Sequence, residues 1–87
     1  MPIYAVQRKL TGITMEGLGD AQKAAIAKST EFSEKGEPVK YIRSNFYPKD
    51  DKCTCLFEAK DAAIVQRLNE EASLPFSEIE EVLDLNP

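Results

Sequence analysis

The hydrophobic pattern is clearest in residues 39–47 and 53–59, where β-branched and aromatic residues alternate with polar ones. This alternation predicts two β-strands, because successive side chains of a strand point to opposite faces. Residues 48–52 join the two segments, and their proline and aspartates favour a turn. We therefore predict a β-hairpin whose tip is a two-residue turn at Asp50-Asp51.

The predicted register gives the hairpin one apolar face and one polar face. The polar face sets Arg43 opposite Glu58, and an opposite-charge pair contributes about 0.2–1 kcal/mol to strand pairing. Tyr41 and Asn45 lie beside this pair. A slip of one residue would exchange the two faces. The apolar face gathers Ile42, Phe46, Cys55, Phe57 and Ala59.

Two helices are predicted by apolar residues at helical spacing. The first spans residues 15–35, with Thr14 as its N-cap, and it ends where Gly36 can take the left-handed conformation. The second begins after Asp61, another N-cap residue, and ends before Pro75.

Two further strands are predicted near the two ends of the chain. Residues 3–10 have apolar side chains on both faces, which indicates that both faces are at least partly covered. Residues 77–85 form the last strand, with Ile79, Leu83 and Leu85 on one face. Adjacent glutamates mark it as an edge strand, because charge discourages pairing with another chain.

The element order β-α-β-β-α-β predicts an α+β fold of the ferredoxin-like type, with residues 1–87 as a single domain. Right-handed crossovers place the first and third strands in the centre of a four-stranded antiparallel sheet. Both helices cover one face of the sheet, and the other face, which carries Tyr41 and Leu56, has no cover within the chain. Such a face is typical of a partner surface. We expect a second copy to pack on it as a dimeric α+β barrel enclosing a cleft.

The charge distribution argues against a nucleic-acid-binding surface. The net charge is −4, and residues 61–87 carry seven acidic residues and one basic residue. No apolar run is long enough to span a membrane, and no basic-then-apolar N-terminus indicates a secretory signal. We therefore expect a cytoplasmic protein with no nucleic-acid or membrane partner.

The cysteines are the candidate metal ligands. The chain has no histidine, which removes the commonest metal ligand and the usual general base at neutral pH. Cys53 and Cys55 lie on the same side of a strand, about 6.6 Å apart, which is the upper limit for an unstrained disulfide. We expect two thiols, and paired thiolates could hold a soft metal ion. The alternative is that Cys55 fills the core and Cys53 lies near the turn.

Arg43 and Glu58, with Tyr41 and Asn45 beside them, form the predicted ligand site. In the predicted register these four side chains project into the cleft between two copies. Arg43 could anchor a small anionic ligand, and Glu58 could act as a base or a ligand. The alternative is a structural ion pair at the dimer interface, where a desolvated charge needs a partner.

Four segments of the chain resemble a family of small bacterial and archaeal domains of unknown function, whose best-known member is a nickel-binding protein. The resemblance implies a ferredoxin-like fold, a homodimer and nickel as the bound metal. Gln7 and Arg43 stand where the family pattern has Glu and often His, so we carry nickel only as a hypothesis. The matching segments are Tyr4–Arg8, Val39–Ser44, Cys55–Ala59 and Phe76–Val82.

These observations lead to three functional hypotheses. The first is a non-catalytic homodimer that binds a small ligand or a metal ion in the cleft between the sheets. The second is a cofactor-free enzyme of the dimeric α+β barrel kind, such as an isomerase or a small monooxygenase, using Glu58 or Arg43. The third is a structural module that binds a partner.

Overall fold

A computed structural model describes all residues from Met1 to Pro87. The strands form one antiparallel sheet in the order β2-β3-β1-β4, so the first and third strands are central as predicted. This topology confirms the ferredoxin-like α+β fold. No helix has the length and apolar character needed to cross a membrane. The elements are β1 (Ile3–Lys9), α1 (Met15–Glu34), β2 (Val39–Tyr47), β3 (Lys52–Ala59), α2 (Ala62–Glu71) and β4 (Glu78–Val82).

The predicted helix ends are confirmed. The Thr14 hydroxyl accepts a hydrogen bond from the backbone N–H of Gly17 at 3.0 Å and caps α1. Gly36 follows α1 with φ of +90°, a conformation that costs glycine little. The Asp61 carboxylate accepts from the backbone N–H of Ile64 at 3.1 Å and caps α2.

The predicted hairpin register is wrong by two residues. Tyr47 pairs with Lys52, and the four residues Pro48–Asp51 form the loop. The predicted two-residue turn would have placed Pro48 inside the strand ladder, where it has no N–H to donate. Asp51 instead takes a left-handed conformation with φ of +53°. Its carbonyl accepts from the backbone N–H of Leu10 at 2.7 Å, which ties the loop to the end of β1.

A β-bulge between Tyr41 and Arg43 changes which residues of β2 share a face. Arg43 lies opposite Leu56 rather than opposite Glu58. Tyr41 lies opposite Phe57, on the face that the helices cover. One extra residue in a strand has this effect because side chains alternate with a period of two. The predicted Arg43–Glu58 pair is therefore wrong because of the two-residue register shift, and the predicted position of Tyr41 on the uncovered face is wrong because of the bulge.

Both helices pack on one face of the sheet and enclose one cluster of twelve buried residues. Phe57 lies on the central strand β3, and Val6 lies on the central strand β1. Val65 and Leu68 of α2 and Ala59 of β3 complete the fully enclosed apolar positions. Both cysteines belong to the cluster, so each is buried.

The last strand is shorter than predicted. It ends at Val82, and Leu83 and Leu85 are 82% and 86% exposed. Only Ile79 of the predicted apolar set packs against the core. The two leucines alternate as strand residues would, but they lie beyond the end of β1, so no neighbouring strand remains for them to pair with.

Candidate functional site

Three of the four predicted ligand residues lie on the sheet face away from the helices, which we call the open face. Arg43 and Asn45 come from β2, and Glu58 comes from β3, so three of the predicted residues share this face. Tyr41 does not belong to it. Three rows of four residues across the sheet form the open face: Val82, Ile3, Glu58 and Lys40; Glu80, Ala5, Leu56 and Arg43; Glu78, Gln7, Thr54 and Asn45.

Arg43 already holds a carboxylate. Its guanidinium donates to the Asp84 side chain at 2.6 Å, and the Asp84 side chain is mostly buried. Asp84 follows the end of β4 at one edge of the sheet, whereas Arg43 belongs to β2 at the other edge. The C-terminal segment and the Arg43 side chain therefore reach one another across the open face.

The open face carries mainly polar residues at its two edges, and its central residues are shielded from solvent. Ala5 and Leu56 are buried within the single chain. Beside them the Thr54 hydroxyl donates to the Gln7 side chain at 2.7 Å. The β2 edge contributes two basic side chains to this face, Lys40 and Arg43, and the β4 edge contributes two acidic ones, Glu78 and Glu80.

A cavity of about 170 Å³ lies on the other side of the sheet, beneath α1. Its lining is mainly apolar and comes from α1, the first three strands, Leu10 and Leu74. Four residues of the hairpin bring polar atoms to this lining: Tyr41, Ser44, Cys53 and Cys55. Sequence reasoning did not find the cavity, because it depends on the bulge that turns Tyr41 toward α1.

A directed chain of hydrogen bonds runs along the wall of the cavity. The amide nitrogen of Gln22 can only donate, and it does so to the Tyr41 hydroxyl at 2.8 Å. Tyr41 and Ser44 share a hydrogen bond of 2.6 Å, and the Ser44 hydroxyl donates to the Cys55 sulfur at 2.9 Å. Because each hydroxyl has one proton, Tyr41 must be the donor to Ser44. The chain therefore ends with Cys55 as its acceptor.

The two cysteines are free thiols whose sulfurs lie 3.8 Å apart. Burial raises the pKa of the Cys53 thiol to about 11, and the neighbouring Cys55 adds to this rise. Arg8 and Ser44 act in the opposite direction. Since the thiolate is the reactive form, Cys53 is an inert thiol at neutral pH.

This pKa predicts a loss of stability in alkaline solution. Between about pH 9 and 11 the unfolded chain releases the Cys53 proton while the folded chain keeps it. The contribution of the protonated Cys53 thiol to the free energy of unfolding is complete below pH 9 and is lost as the pH rises toward 11. We expect urea unfolding at pH 8 and pH 10.5 to show a smaller loss for Cys53→Ala than for the wild type. Equal losses would contradict the assignment.

Arg8 is a buried cation without a carboxylate partner. It is 4% exposed and lines the cavity directly across the β1–β3 pairing from Cys53. Its guanidinium donates to the Asn69 side-chain oxygen at 2.9 Å and to the Pro75 carbonyl at 3.0 Å. Both acceptors are neutral, and Arg8 takes part in none of the five ion pairs of the chain.

The residues of one chain do not fit a nickel ion. No group of three or more histidine, cysteine, aspartate or glutamate side chains is arranged to hold a metal. Nickel(II) prefers nitrogen and oxygen ligands in tetragonal geometry, whereas Cys53 and Cys55 supply two sulfurs. The predicted closeness of these sulfurs is observed, and their ligation of a metal stays a prediction.

Comparison with known proteins gives one family and one related structure. Residues 4–82 match the family described as nickel responsive protein SCO4226-like. A crystal structure of SCO4226 from Streptomyces coelicolor A3(2) superposes with a TM-score of 0.79 at 30% sequence identity, over 95% of this chain and 99% of that one. No curated protein matches the sequence. The family match confirms the resemblance found in the four short segments.

Proposed function

Because the chain belongs to the SCO4226-like family of nickel responsive proteins, we propose that it is a non-catalytic homodimer that binds a small anionic ligand on its open face. The observation that carries this proposal is the carboxylate of Asp84 on the Arg43 guanidinium at 2.6 Å. That contact supports the open face as a place where an anion can be held. Asn45 and Glu58 lie beside Arg43 on the same face.

Charge supports a second copy as the partner of this face. Rotation about a two-fold axis parallel to the strands would bring β2 of one copy over β4 of the other. The basic edge with Lys40 and Arg43 would then meet the acidic edge with Glu78 and Glu80. Leu83 and Leu85, which are exposed in the single chain, would gain apolar contacts.

The chemistry of the chain supports binding more than catalysis. It contains no histidine, and Cys53 is protonated at neutral pH. The free thiols agree with the reducing cytoplasm that the proposal assumes. Nickel is not the ligand that we propose for the open face, because the Arg43 guanidinium would repel a cation. The nickel response in the family name therefore does not identify the ligand of this chain.

A nitrogen-15 NMR titration with sodium benzoate tests the ligand site. We expect shifts on the open face of the wild type, loss of these shifts in Arg43→Gln, and retention in Lys49→Gln, which removes the same charge from the exposed hairpin loop. Asp84→Asn should bind benzoate about two- to fivefold more tightly, because the ion pair with the half-exposed Arg43 side chain, worth about 0.2–1 kcal/mol, no longer competes. Identical titrations of wild type and Arg43→Gln would favour a purely structural role for this ion pair.

Sedimentation equilibrium tests the dimer separately. We expect a dimer at micromolar concentration that weakens as the salt concentration rises, because salt screens the charges of the two edges. The double substitution Glu78→Lys and Glu80→Lys should give a monomer with an unchanged circular dichroism spectrum. A wild type that stays monomeric at about 100 µM would contradict the proposal, because that behaviour corresponds to a binding free energy too weak for the expected micromolar dimer.

A further inference from the structure

We propose that Cys53 and Cys55 form a two-coordinate site for a soft monovalent cation of the copper(I) class in the cavity beneath α1. This site is independent of the proposed function, because it lies on the opposite side of the sheet from the open face. It assigns the chain a metal of a different class from the nickel in the family name.

The sulfur positions suit two-coordinate binding. They lie 3.8 Å apart on adjacent same-face positions of β3, which is hydrogen-bonded to a neighbouring strand on each side. With metal–sulfur bonds of about 2.3 Å, two sulfurs on opposite sides of an ion lie about 4.6 Å apart. Small rotations of the Cys53 and Cys55 side chains supply the difference, and the backbone can stay fixed.

Charge explains how the cavity could accept such an ion. Two thiols and one monovalent cation give a bis-thiolate complex of net charge −1 and two released protons. A negative charge in a mainly apolar cavity needs a compensating cation. Arg8 is buried, lies directly across the strand pairing from Cys53, and donates only to neutral acceptors. The bound complex would give this guanidinium the negative partner that it lacks.

The hydrogen bonds around Cys55 also suit a metal-bound sulfur. Ser44 donates to the Cys55 sulfur at 2.9 Å, and Ser44 is held in that orientation by Tyr41. A hydroxyl that donates to a thiol sulfur can keep donating after the sulfur loses its proton to a metal. Partners of this kind orient a ligand, and their removal costs about 10- to 100-fold in affinity.

The number and type of ligands select the class of metal. Thiolates favour copper(I) over harder divalent ions, which take more ligands of nitrogen or oxygen type. No third carboxylate or thiol joins Cys53 and Cys55. The cavity gives an ion a route to the sulfurs, since both cysteines line it. A soft monovalent ion that needs only two sulfur ligands is therefore the class of metal that fits this site.

Anaerobic titration with copper(I) in the presence of bathocuproine disulfonate, a competing chelator, tests the site. We expect one copper(I) per chain in the wild type and a loss of affinity of at least about 100-fold in Cys53→Ser and in Cys55→Ser, because one thiolate alone cannot complete the site. Ser44→Ala should lose about tenfold. Thr54→Ser, on the same strand but on the open face, should bind as the wild type does.

Proton release keeps the test decisive if a cysteine variant does not fold. At pH 7 we expect about two protons per copper(I) bound to the wild type, since both thiols must lose theirs. Failure of the wild type to take copper(I) from the chelator would overturn the proposal, as would unchanged affinity in a folded Cys53→Ser. Neither result would bear on the benzoate titration or on the dimer, which concern the open face.

Discussion

Replacing Phe57 by alanine should lower the free energy of unfolding by about 3–5 kcal/mol, the range for deleting a buried aromatic ring. Phe57 has no exposed surface and lies on the central strand β3. Its ring packs edge-on against Tyr41 with the ring centres 5.5 Å apart. The substitution therefore removes buried apolar area and also an aromatic contact. Urea unfolding monitored by circular dichroism at pH 7 measures the loss.

The size of this loss decides whether the variant folds at all. A domain of this length has a total stability on the order of 4–13 kcal/mol, so Phe57→Ala could leave little folded protein. Phe57→Leu keeps most of the apolar volume and should cost about 1–2 kcal/mol. Leu85→Ala removes an apolar side chain that is exposed in the single chain, and at a concentration where the protein is monomeric it should change stability by less than about 0.5 kcal/mol. Equal effects of Phe57→Ala and Leu85→Ala would contradict the position of Phe57 in the core.

The element order and the helix ends follow from local sequence signals. Thr14 and Asp61 cap their helices because a side-chain oxygen satisfies a free N–H within three residues. Gly36 ends α1 for an equally local reason, its freedom to take positive φ. These signals need no knowledge of distant contacts. The topology then follows from the handedness of the crossovers.

The hairpin register could not be read in the same way. A residue count across the loop fixes the register only if the loop length is known, and Pro48 could be assigned to the strand or to the loop. The missing N–H of Pro48 favours the longer loop, because proline cannot donate to a strand ladder. The bulge near Ile42 has no comparable local signal. It is favoured by tertiary packing, which places the Tyr41 ring against Phe57 and its hydroxyl beside Ser44.

The residues of the candidate sites also divide into those that local sequence signals predict and those that depend on distant contacts. Arg43, Asn45 and Glu58 were placed on one face by alternation alone, and they share that face despite the wrong register. A shift by two residues preserves the face of every side chain, and only the residues beyond the bulge changed sides. The burial of Arg8 was not predicted, because an arginine in an alternating strand normally indicates a side chain that faces solvent. Its burial depends on acceptors at Asn69 and Pro75, more than sixty residues away.

Arg8→Met should lower the free energy of unfolding by about 2–4 kcal/mol. Methionine keeps much of the apolar stem but leaves the buried Asn69 oxygen without a donor, which costs about 1–3 kcal/mol. The bond to the Pro75 carbonyl is lost as well. Relief from holding a charge in the interior offsets part of this loss. Urea unfolding of the wild type and the variant at pH 7 measures the difference.

A double-mutant cycle with Asn69→Leu separates the hydrogen bond from the packing around it. Removing both partners in favour of apolar groups should cost less than the sum of the two single changes, because neither the Asn69 oxygen nor the Arg8 guanidinium is left buried without its partner. Arg67→Met is the matched control, since Arg67 is an exposed arginine paired with Glu37, and it should cost less than about 1 kcal/mol. A stabilising Arg8→Met would mean that the buried charge costs more than its hydrogen bonds return. The copper(I) affinity of Arg8→Met should fall whichever sign the stability change takes, because the bound complex would lose the buried cation that compensates its charge.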